Sequence, residues 1–314
     1  MIDKGEFFLK NYLSKQKVQL SFNNQIIKIE TLKDKYQEYK KIKDKLSTSS
    51  EFTVLTITEN QDKDELINLA LDIKNLLSIA LGQRIIFNKQ SYWINDTQTI
   101  INKEMSESKN LGVQIIPDSE IENFLNKTLP KWSKLTEAEK TDYFIVTDYL
   151  NQTREDFIED RILKTMQAWE CSANYWTNPV ELTQDLKELE KRIIKTYKDW
   201  RKEISYNDIN GEIGSNLKIS LNQEKLISRL DKFILESNFN KQTINLNLIE
   251  LKKMRDLVVH QGKIKTPGEQ AINILEPGIK ALQIIILKRL GYDGLVIDSK
   301  NKWRVFNKID KYFK

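Results

Sequence analysis

Residues 251–263 of this chain read LKKMRDLVVHQGK, and the rest of the sequence can be understood outward from this stretch. It contains His260, which is the single histidine among 314 residues. Arg255 precedes the histidine by five positions, and the polar residue Asp256 directly follows the arginine. Titratable and cationic groups gathered on one short segment make it the candidate functional site.

The apolar residues of this stretch recur at helical spacing. In an ideal helix each residue turns by about 100°, and one apolar face is then shared by Leu251, Met254, Leu257 and Val258. Arg255 then lies about 40° from Leu251, at the edge of the apolar face, where a guanidinium needs a partner or a role. His260 lies about 140° from Arg255. The two side chains therefore converge only through distortion of the helix end, a long arginine reach, or a second copy of the helix.

This combination of residues provides the chemistry of RNA cleavage. His260, just before the expected helix end at Gly262, can take a proton from a 2′-hydroxyl or give one to the leaving oxygen. Arg255 can hold the scissile phosphate and neutralise its developing charge, and Asp256 can orient either group. Attack by a 2′-hydroxyl requires neither a metal ion nor a cofactor. Four lysines could add non-specific contacts with RNA phosphates: Lys252, Lys253, Lys263 and Lys265.

A structural role for the same residues stands beside the catalytic one. An arginine followed by a histidine at this distance occurs often by chance. Arg255 would then form a salt bridge near the helix end, and His260 would be a terminal capping residue that the helix dipole stabilises. Glu170, on an earlier predicted helix, could face this site as a charge partner, or could be a surface acid or part of another salt bridge.

The composition limits the classes of protein to which this chain can belong. The length allows two domains, and a hydrophobic fraction of 39% with a charged fraction of 30% fits a soluble globular protein. Ten glycines and five prolines are few, which favours long helices. The net charge of +5 permits an anionic partner such as RNA without requiring one. A single cysteine excludes an internal disulfide and fits a reducing cytoplasm.

The sequence gives no sign of secretion or membrane insertion. Residues 1–6 are not followed by the apolar segment of a signal peptide. The most apolar C-terminal run, residues 281–287, is interrupted by Gln283 and is too short to cross a bilayer. We therefore expect a cytoplasmic protein with no membrane partner.

The first 135 residues predict an N-terminal domain of mixed α/β structure. Alternating apolar residues around Asn23 and Asn24 indicate a hairpin, and the clearest helical periodicity ends at Gly82. No glycine-rich phosphate loop and no paired Cys/His metal spacing occurs in this sequence. The predicted elements are a hairpin over 17–31, a helix over 32–46, a strand over 52–58, a helix over 62–81, a hairpin from 84–87 and 92–95, a strand over 112–116 and a helix from 117 towards 129.

The composition changes near Pro130, which predicts a hinge and a second domain over residues 136–314. Two tryptophans could seal the junction between the two domains: Trp132, beside this hinge, and Trp303. The predicted helices of the second domain cover 142–175, 183–204, 223–235, 245–261 and 267–291, before a hairpin over 294–306. Five helices with short connections form a bundle. The expected fold class is α+β: an N-terminal mixed α/β domain, then an all-α helical bundle with a short C-terminal β-hairpin.

The segment from Arg255 to His260 resembles the signature of the HEPN superfamily (higher eukaryotes and prokaryotes nucleotide-binding). In that family an arginine, a polar residue and a histidine lie on a late helix of an all-α bundle, and Arg255, Asp256 and His260 match them in turn. The resemblance covers residues 142–291. The order of the two domains is also similar to that in the ApeA-like HEPN proteins of bacterial anti-phage defence. Residues 157–175 resemble the first bundle helix of those proteins.

The resemblance implies a metal-independent endoribonuclease without a cofactor, active as a homodimer or a higher homo-oligomer. The Arg/His helices of two protomers would face each other, so that His260 of one chain approaches Arg255 of the partner subunit. The implied substrate is cellular RNA, with tRNA as one candidate. The implied cellular role is that of an abortive-infection effector or a toxin.

The same resemblance assigns the N-terminal domain to sensing a trigger, restraining the nuclease or helping to bind RNA. A phage-derived trigger and an antitoxin are candidate partners. Two other functions stay open on the sequence. One is a non-catalytic HEPN module for nucleotide binding or dimerisation, and the other is a structural helical adaptor.

Overall fold

The structure, a computed structural model of the chain, describes residues 2–10, 12, 16–31, 53–94, 97–102, 114–153, 157–178, 184–203, 226–300 and 303–314. The expected α+β class is confirmed, because an antiparallel sheet is followed by helices and by a two-stranded hairpin. The helix predicted over residues 32–46 lies outside the described residues.

Six strands form one antiparallel sheet. Its order is β2-β3-β4-β1-β5-β6, so the first strand of the chain lies inside the sheet. The predicted hairpin is confirmed, with its turn at Asn23 and Asn24, which both adopt positive φ (50° and 65°). The strands are β1 (Ile2–Lys10), β2 (Val18–Phe22), β3 (Gln25–Thr31), β4 (Thr53–Gln61), β5 (Ile86–Ile94) and β6 (Thr97–Asn102).

The described helices follow the sheet, except for one that lies between β4 and β5. They are α1 (Lys63–Leu81), α2 (Ile121–Trp132), α3 (Glu137–Gln152), α4 (Ile158–Trp176), α5 (Gln184–Glu203), α6 (Leu226–Glu236), α7 (Leu248–Gln261) and α8 (Gly268–Arg289). Helix α4 occupies the centre of the bundle, where it packs against α3, α6, α7 and α8. The predicted terminal hairpin is confirmed as β7 (Leu295–Lys300) and β8 (Trp303–Lys308).

Helix α1 packs closely on the sheet. Asp62 caps its N-terminus by accepting from the backbone N–H of Asp64 (2.8 Å), and Gly82 ends it in the left-handed conformation. A Cβ atom at Gly5 of β1 would lie 2.6 Å from Cδ2 of Leu66, a residue with no exposed surface. The absence of a side chain at Gly5 therefore lets the helix approach the strand.

Two predictions in the N-terminal half were wrong. Strand β5 runs through the expected turn, because its backbone pairs with β1 from Trp93 to Ile86, with one register shift opposite Phe8 and Leu9. A short strand was also predicted over residues 112–116. The structure describes residues 114–116 of this segment, and they do not form a strand. The backbone N–H groups of Ile115 and Ile116 instead donate to the carbonyl of Ala80 at the end of α1, both at 3.1 Å.

The long helix predicted over residues 142–175 is also wrong, because the structure has two helices there. Helix α3 begins earlier, at a capping box in which Thr136 and Glu139 bond reciprocally. It ends before Thr153, whose hydroxyl donates back to the carbonyl of Leu150 (2.7 Å). Helix α4 then starts at Ile158. The apolar periodicity alone predicts one long helix. Local hydrogen bonds from side chains to the backbone instead produce two helices.

Pro130 lies inside helix α2 rather than in a hinge, and the helix continues to Trp132. Trp132 has no exposed surface, and its indole Nε1 donates to Oδ1 of Asp72 on α1 at 2.8 Å. Its ring centre lies 5.7 Å from that of Tyr143 on α3. Burial of this side chain holds the end of α2 in place despite the proline. One hydrophobic core continues from the sheet into the bundle, while the boundary at residue 135 stays a prediction.

Helix α8 is long and apolar enough to cross a membrane by length and composition, alone among the described helices. However, 61% of its most apolar window is buried inside the fold, as is typical of a core helix in a soluble protein. Gly278 of α8 lies in close contact with helices α4 and α7. The Gly278 carbonyl accepts from Nε1 of Trp169 on α4 (3.1 Å), and a Cβ there would lie 3.0 Å from Leu251 on α7.

Candidate functional site

Helix α7 carries the predicted site, and both of its ends are capped. The side chain of Asn247 accepts a hydrogen bond from the backbone N–H of Glu250 at 3.1 Å. Gly262 closes the helix with a φ of 69°, and its N–H bonds to the carbonyl of Val258 at 2.9 Å. The helix is anchored in the bundle by its buried residues Leu248, Leu251, Met254 and Val258.

Arg255 lies at the edge of the buried face, as the helical spacing predicts. Its Nη2 donates to Oε1 of Glu170 on α4, and its Nη1 donates to Oδ1 of Asp256, both at 3.0 Å. The side chains of Arg255 and Glu170 are 32% and 25% exposed. This pair is therefore partly sheltered from solvent. The two bonds use only part of the guanidinium's donors, so others can meet a phosphate oxygen.

The sequence allowed Glu170 to be a charge partner of the site, a surface acid or part of another salt bridge. In the structure it contacts Arg255 and is therefore a charge partner of the site. The contact joins residues 85 positions apart in the chain. It forms because α4 and α7 pack against each other at the centre of the bundle. Glu170 and Asp256 together fix the guanidinium from two sides.

Asp256 links the arginine to a lysine one turn earlier. It accepts hydrogen bonds from Arg255 and from Nζ of Lys252. Burial by itself would raise the pKa of the Asp256 carboxyl, but the bonds from Lys252 and Arg255 outweigh that effect and lower the pKa. Asp256 is therefore ionised at neutral pH and orients the guanidinium of Arg255.

His260 lies exposed in the last turn of α7. Within the described part of the chain, no hydrogen bond or ion pair holds its imidazole. Because α7 is a continuous helix to Gln261, the angle of about 140° between Arg255 and His260 is not removed by distortion. One chain therefore brings Arg255, Asp256 and Glu170 into contact, while His260 lies one turn beyond Asp256 and points away from Arg255.

The four predicted RNA-binding lysines fall into two pairs. Lys252 contacts Asp256, and Lys253 donates to Glu250 at 2.8 Å. The side chains of Lys252 and Lys253 remain 33% and 64% exposed. Lys263 and Lys265 lie exposed in the segment that follows the helix. All four ammonium groups remain accessible enough for non-specific contact with phosphates.

Two apolar residues on the outward face of α7 were missed by the sequence analysis. Ile249 and Val259 are 56% and 55% exposed. On an ideal helix Ile249, Asp256 and His260 lie within about 40° of one another, so this face combines apolar, charged and titratable groups. Single exposed apolar residues are common on protein surfaces, so these two would gain a role only if a second helix packed over them. A helical projection of the sequence contains this signal, since both residues fall outside the buried stripe.

The polar groups of this site suit an anionic ligand and proton transfer. They are a guanidinium, an imidazole, two carboxylates and several ammonium groups. Among the residues that the structure describes, no group of three or more His, Cys, Asp or Glu side chains is arranged to hold a metal ion.

No family model matches this chain, and neither the curated proteins nor the solved structures contain a significant match to it.

Proposed function

We propose that this chain is a metal-independent HEPN endoribonuclease whose active site forms between two copies of α7. The observation that carries the proposal is the guanidinium of Arg255, which Glu170 and Asp256 hold at the edge of the buried face of α7, the helix that also exposes His260. An arginine fixed in this way can bind a phosphate without losing further conformational entropy. The match of Arg255, Asp256 and His260 to the family signature supports the same assignment.

The reaction follows from the two groups. His260 accepts the proton of the 2′-hydroxyl, and the freed oxygen attacks the adjacent phosphorus. The bond from phosphorus to the 5′ oxygen breaks, and a second, protonated His260 in the dimer gives its proton to that oxygen. The products are a 2′,3′-cyclic phosphate and a 5′-hydroxyl. Arg255 stabilises the charge on the non-bridging phosphate oxygens in the transition state.

A dimer would solve the angular problem between the two groups. Arg255 and His260 diverge on a single helix, but a two-fold axis across α7 would bring His260 of one copy towards Arg255 of the other. The exposed side chains of Ile249 and Val259 would then be buried between the two helices. The lysines at 252, 253, 263 and 265 would contact the RNA backbone on either side.

The cellular role is part of the proposal. Cleavage of cellular RNA, with tRNA as one candidate, would stop cell growth. The protein would act either in abortive infection, when phage infects a bacterium, or as a toxin. A phage-derived trigger or an antitoxin would control it through the N-terminal part of the chain, and the protein would act in the cytoplasm.

A non-catalytic HEPN module is the second candidate, and one observation favours it. Arg255 already has two carboxylate partners, as a purely structural ion pair would. The bundle would then serve nucleotide binding or dimerisation, and His260 would be replaceable.

Cleavage of total RNA and of tRNA by the purified full chain in EDTA distinguishes the two candidates. The parent should cut, and Arg255→Ala and His260→Ala proteins should not. Arg192→Ala, an exposed arginine on α5, serves as the matched control and should cut like the parent. Analytical ultracentrifugation checks that the variants keep the oligomeric state of the parent.

The results separate the functions as follows. Loss of cleavage in both site variants supports the composite ribonuclease site. Cleavage that survives His260→Ala overturns the mechanism. A parent that binds RNA without cutting it, and loses that binding in Arg255→Ala, supports the non-catalytic module.

A further inference from the structure

A cavity of about 300 Å³ lies away from the α7 site, between α1, β5, α2 and α3. Its walls are largely apolar and include the rings of Phe87, Trp132 and Phe144. Small-molecule sites in proteins are concave, mostly apolar and of about 300–1,000 Å³. The cavity therefore has the size and the wall chemistry of a site for a small aromatic compound.

Two polar residues in the lining of this cavity have unsatisfied oxygens. Thr147 and Asn151 lie one turn apart on α3, and they are only 7% and 4% exposed. Within the described part of the chain, neither Oγ1 of Thr147 nor Oδ1 of Asn151 has a hydrogen-bond partner. Buried oxygens without a partner destabilise a fold and are uncommon. A ligand with N–H donors on one edge would satisfy both.

The charged residues of the lining favour a negative ligand. Lys74 and Arg84 contribute two cations, and the ammonium of Lys74 lies 5.9 Å from the ring centre of Phe87. Asp148 is the one carboxylate among the lining residues, and it accepts a hydrogen bond from Nε2 of Gln152 at 2.6 Å. Lys74 and Arg84 each have interactions elsewhere, but both carry several N–H donors, so they can also bind the anionic group of an aromatic ligand.

We propose that this cavity binds a purine nucleoside monophosphate. The base lies among Phe87, Trp132 and Phe144, its N–H groups donate to Thr147 and Asn151, and its phosphate meets Lys74 and Arg84. The ligand would contact both the sheet and the bundle and would stabilise them together. This binding does not depend on ribonuclease activity at α7.

Isothermal titration calorimetry of the full chain with AMP and with GMP tests the proposal. At least one nucleotide should bind the parent. Thr147→Val and Asn151→Leu should each weaken that binding at least about tenfold, which corresponds to the loss of one buried hydrogen bond. Thr141→Val is the matched control, because Thr141 is exposed on the same helix and its hydroxyl donates to the carbonyl of Glu137 (2.7 Å). It should bind like the parent.

Two further measurements keep the result interpretable. Adenosine, which lacks the phosphate, should bind at least about tenfold more weakly than AMP, and equal binding of the two would overturn the phosphate contact. Melting temperatures without nucleotide check folding, and Thr147→Val should not lower the value because it removes an unbonded oxygen. Failure of both nucleotides to bind the parent, or unchanged binding by folded Thr147→Val protein, overturns the proposal.

Discussion

Arg255 on α7 and Glu170 on α4 form an ion pair of 3.0 Å between Nη2 and Oε1, across the centre of the helical bundle. The pair connects the helix that carries the proposed active site to the helix that most of the bundle packs against. Glu170 therefore positions Arg255, and its effect on activity can be measured separately from its effect on stability.

Glu170→Gln tests this positioning role. The amide keeps the shape but loses the charge, so Arg255 should become less fixed and RNA cleavage by the proposed ribonuclease should fall about tenfold. The free energy of unfolding should fall by no more than ~1 kcal/mol, because both partners are partly exposed. Glu188→Gln, on the exposed side of α5, is the control for both assays. Equal cleavage by the two variants would show that Glu170 does not support the site.

Asp256→Asn should change how stability depends on pH. The pKa of Asp256 is lowered in the folded state, so its contribution is complete above the ordinary carboxyl pKa of 3.8 and is lost as the pH falls through the lower folded-state value. Urea unfolding should therefore show the parent more stable than Asp256→Asn at pH 7, by less than ~1 kcal/mol for so exposed a group. The difference should shrink as the pH falls from 7 to below 3.8. A constant difference across this range would contradict the argument.

Ile249→Glu should weaken self-association through α7. A charged side chain at this exposed apolar position would have to be buried in the proposed dimer, at a cost in free energy. Sedimentation velocity over a concentration series should show the dimer dissociating at higher concentration than in the parent. Leu235→Glu places the same charge at a 72% exposed position on α6 and should leave association unchanged. Equal behaviour of the two variants would exclude α7 as the dimer surface.

Gly5→Ala should destabilise the sheet against α1. The new methyl group would lie 2.6 Å from Leu66 and 3.1 Å from Phe7, and both residues are fully buried. Overpacking of this kind lowers the free energy of unfolding by about 1–3 kcal/mol. Gly268→Ala, where a Cβ would meet no atom within 4 Å, should be neutral or slightly stabilising in the same urea titration. Equal stability of the two variants would show that the close approach is not needed.

Trp132→Phe should loosen the connection between the sheet and the bundle. The change removes the hydrogen bond to Asp72 and part of a fully buried ring, at a cost of about 1–3 kcal/mol in unfolding free energy. The control Trp200→Phe alters a side chain that is 47% exposed and should change stability by less than ~0.5 kcal/mol. Chemical denaturation followed by circular dichroism measures both.

Local patterns in the sequence predicted the elements with strong end signals. Asp62 and Gly82 bound α1, Asn23 and Asn24 turn the first hairpin, and Gly262 closes α7, because capping and turn preferences act within a few residues. Two errors had different causes: local bonds of Thr136 and Thr153 divide the predicted 142–175 helix, whereas a distant contact decides the end of α2. Burial of Trp132 against Asp72 keeps Pro130 within a helix, a result that no short window of sequence contains.

The candidate site divides in the same way. The sequence by itself determined that Arg255, Asp256 and His260 lie on one helix with a buried face, since helical spacing and capping are local properties. Only the tertiary structure decided that Glu170, 85 positions away, pairs with Arg255, and that Thr147 and Asn151 line a cavity with Phe87. The reason is physical: contacts between separate helices depend on how side chains of the whole core fill the space between them.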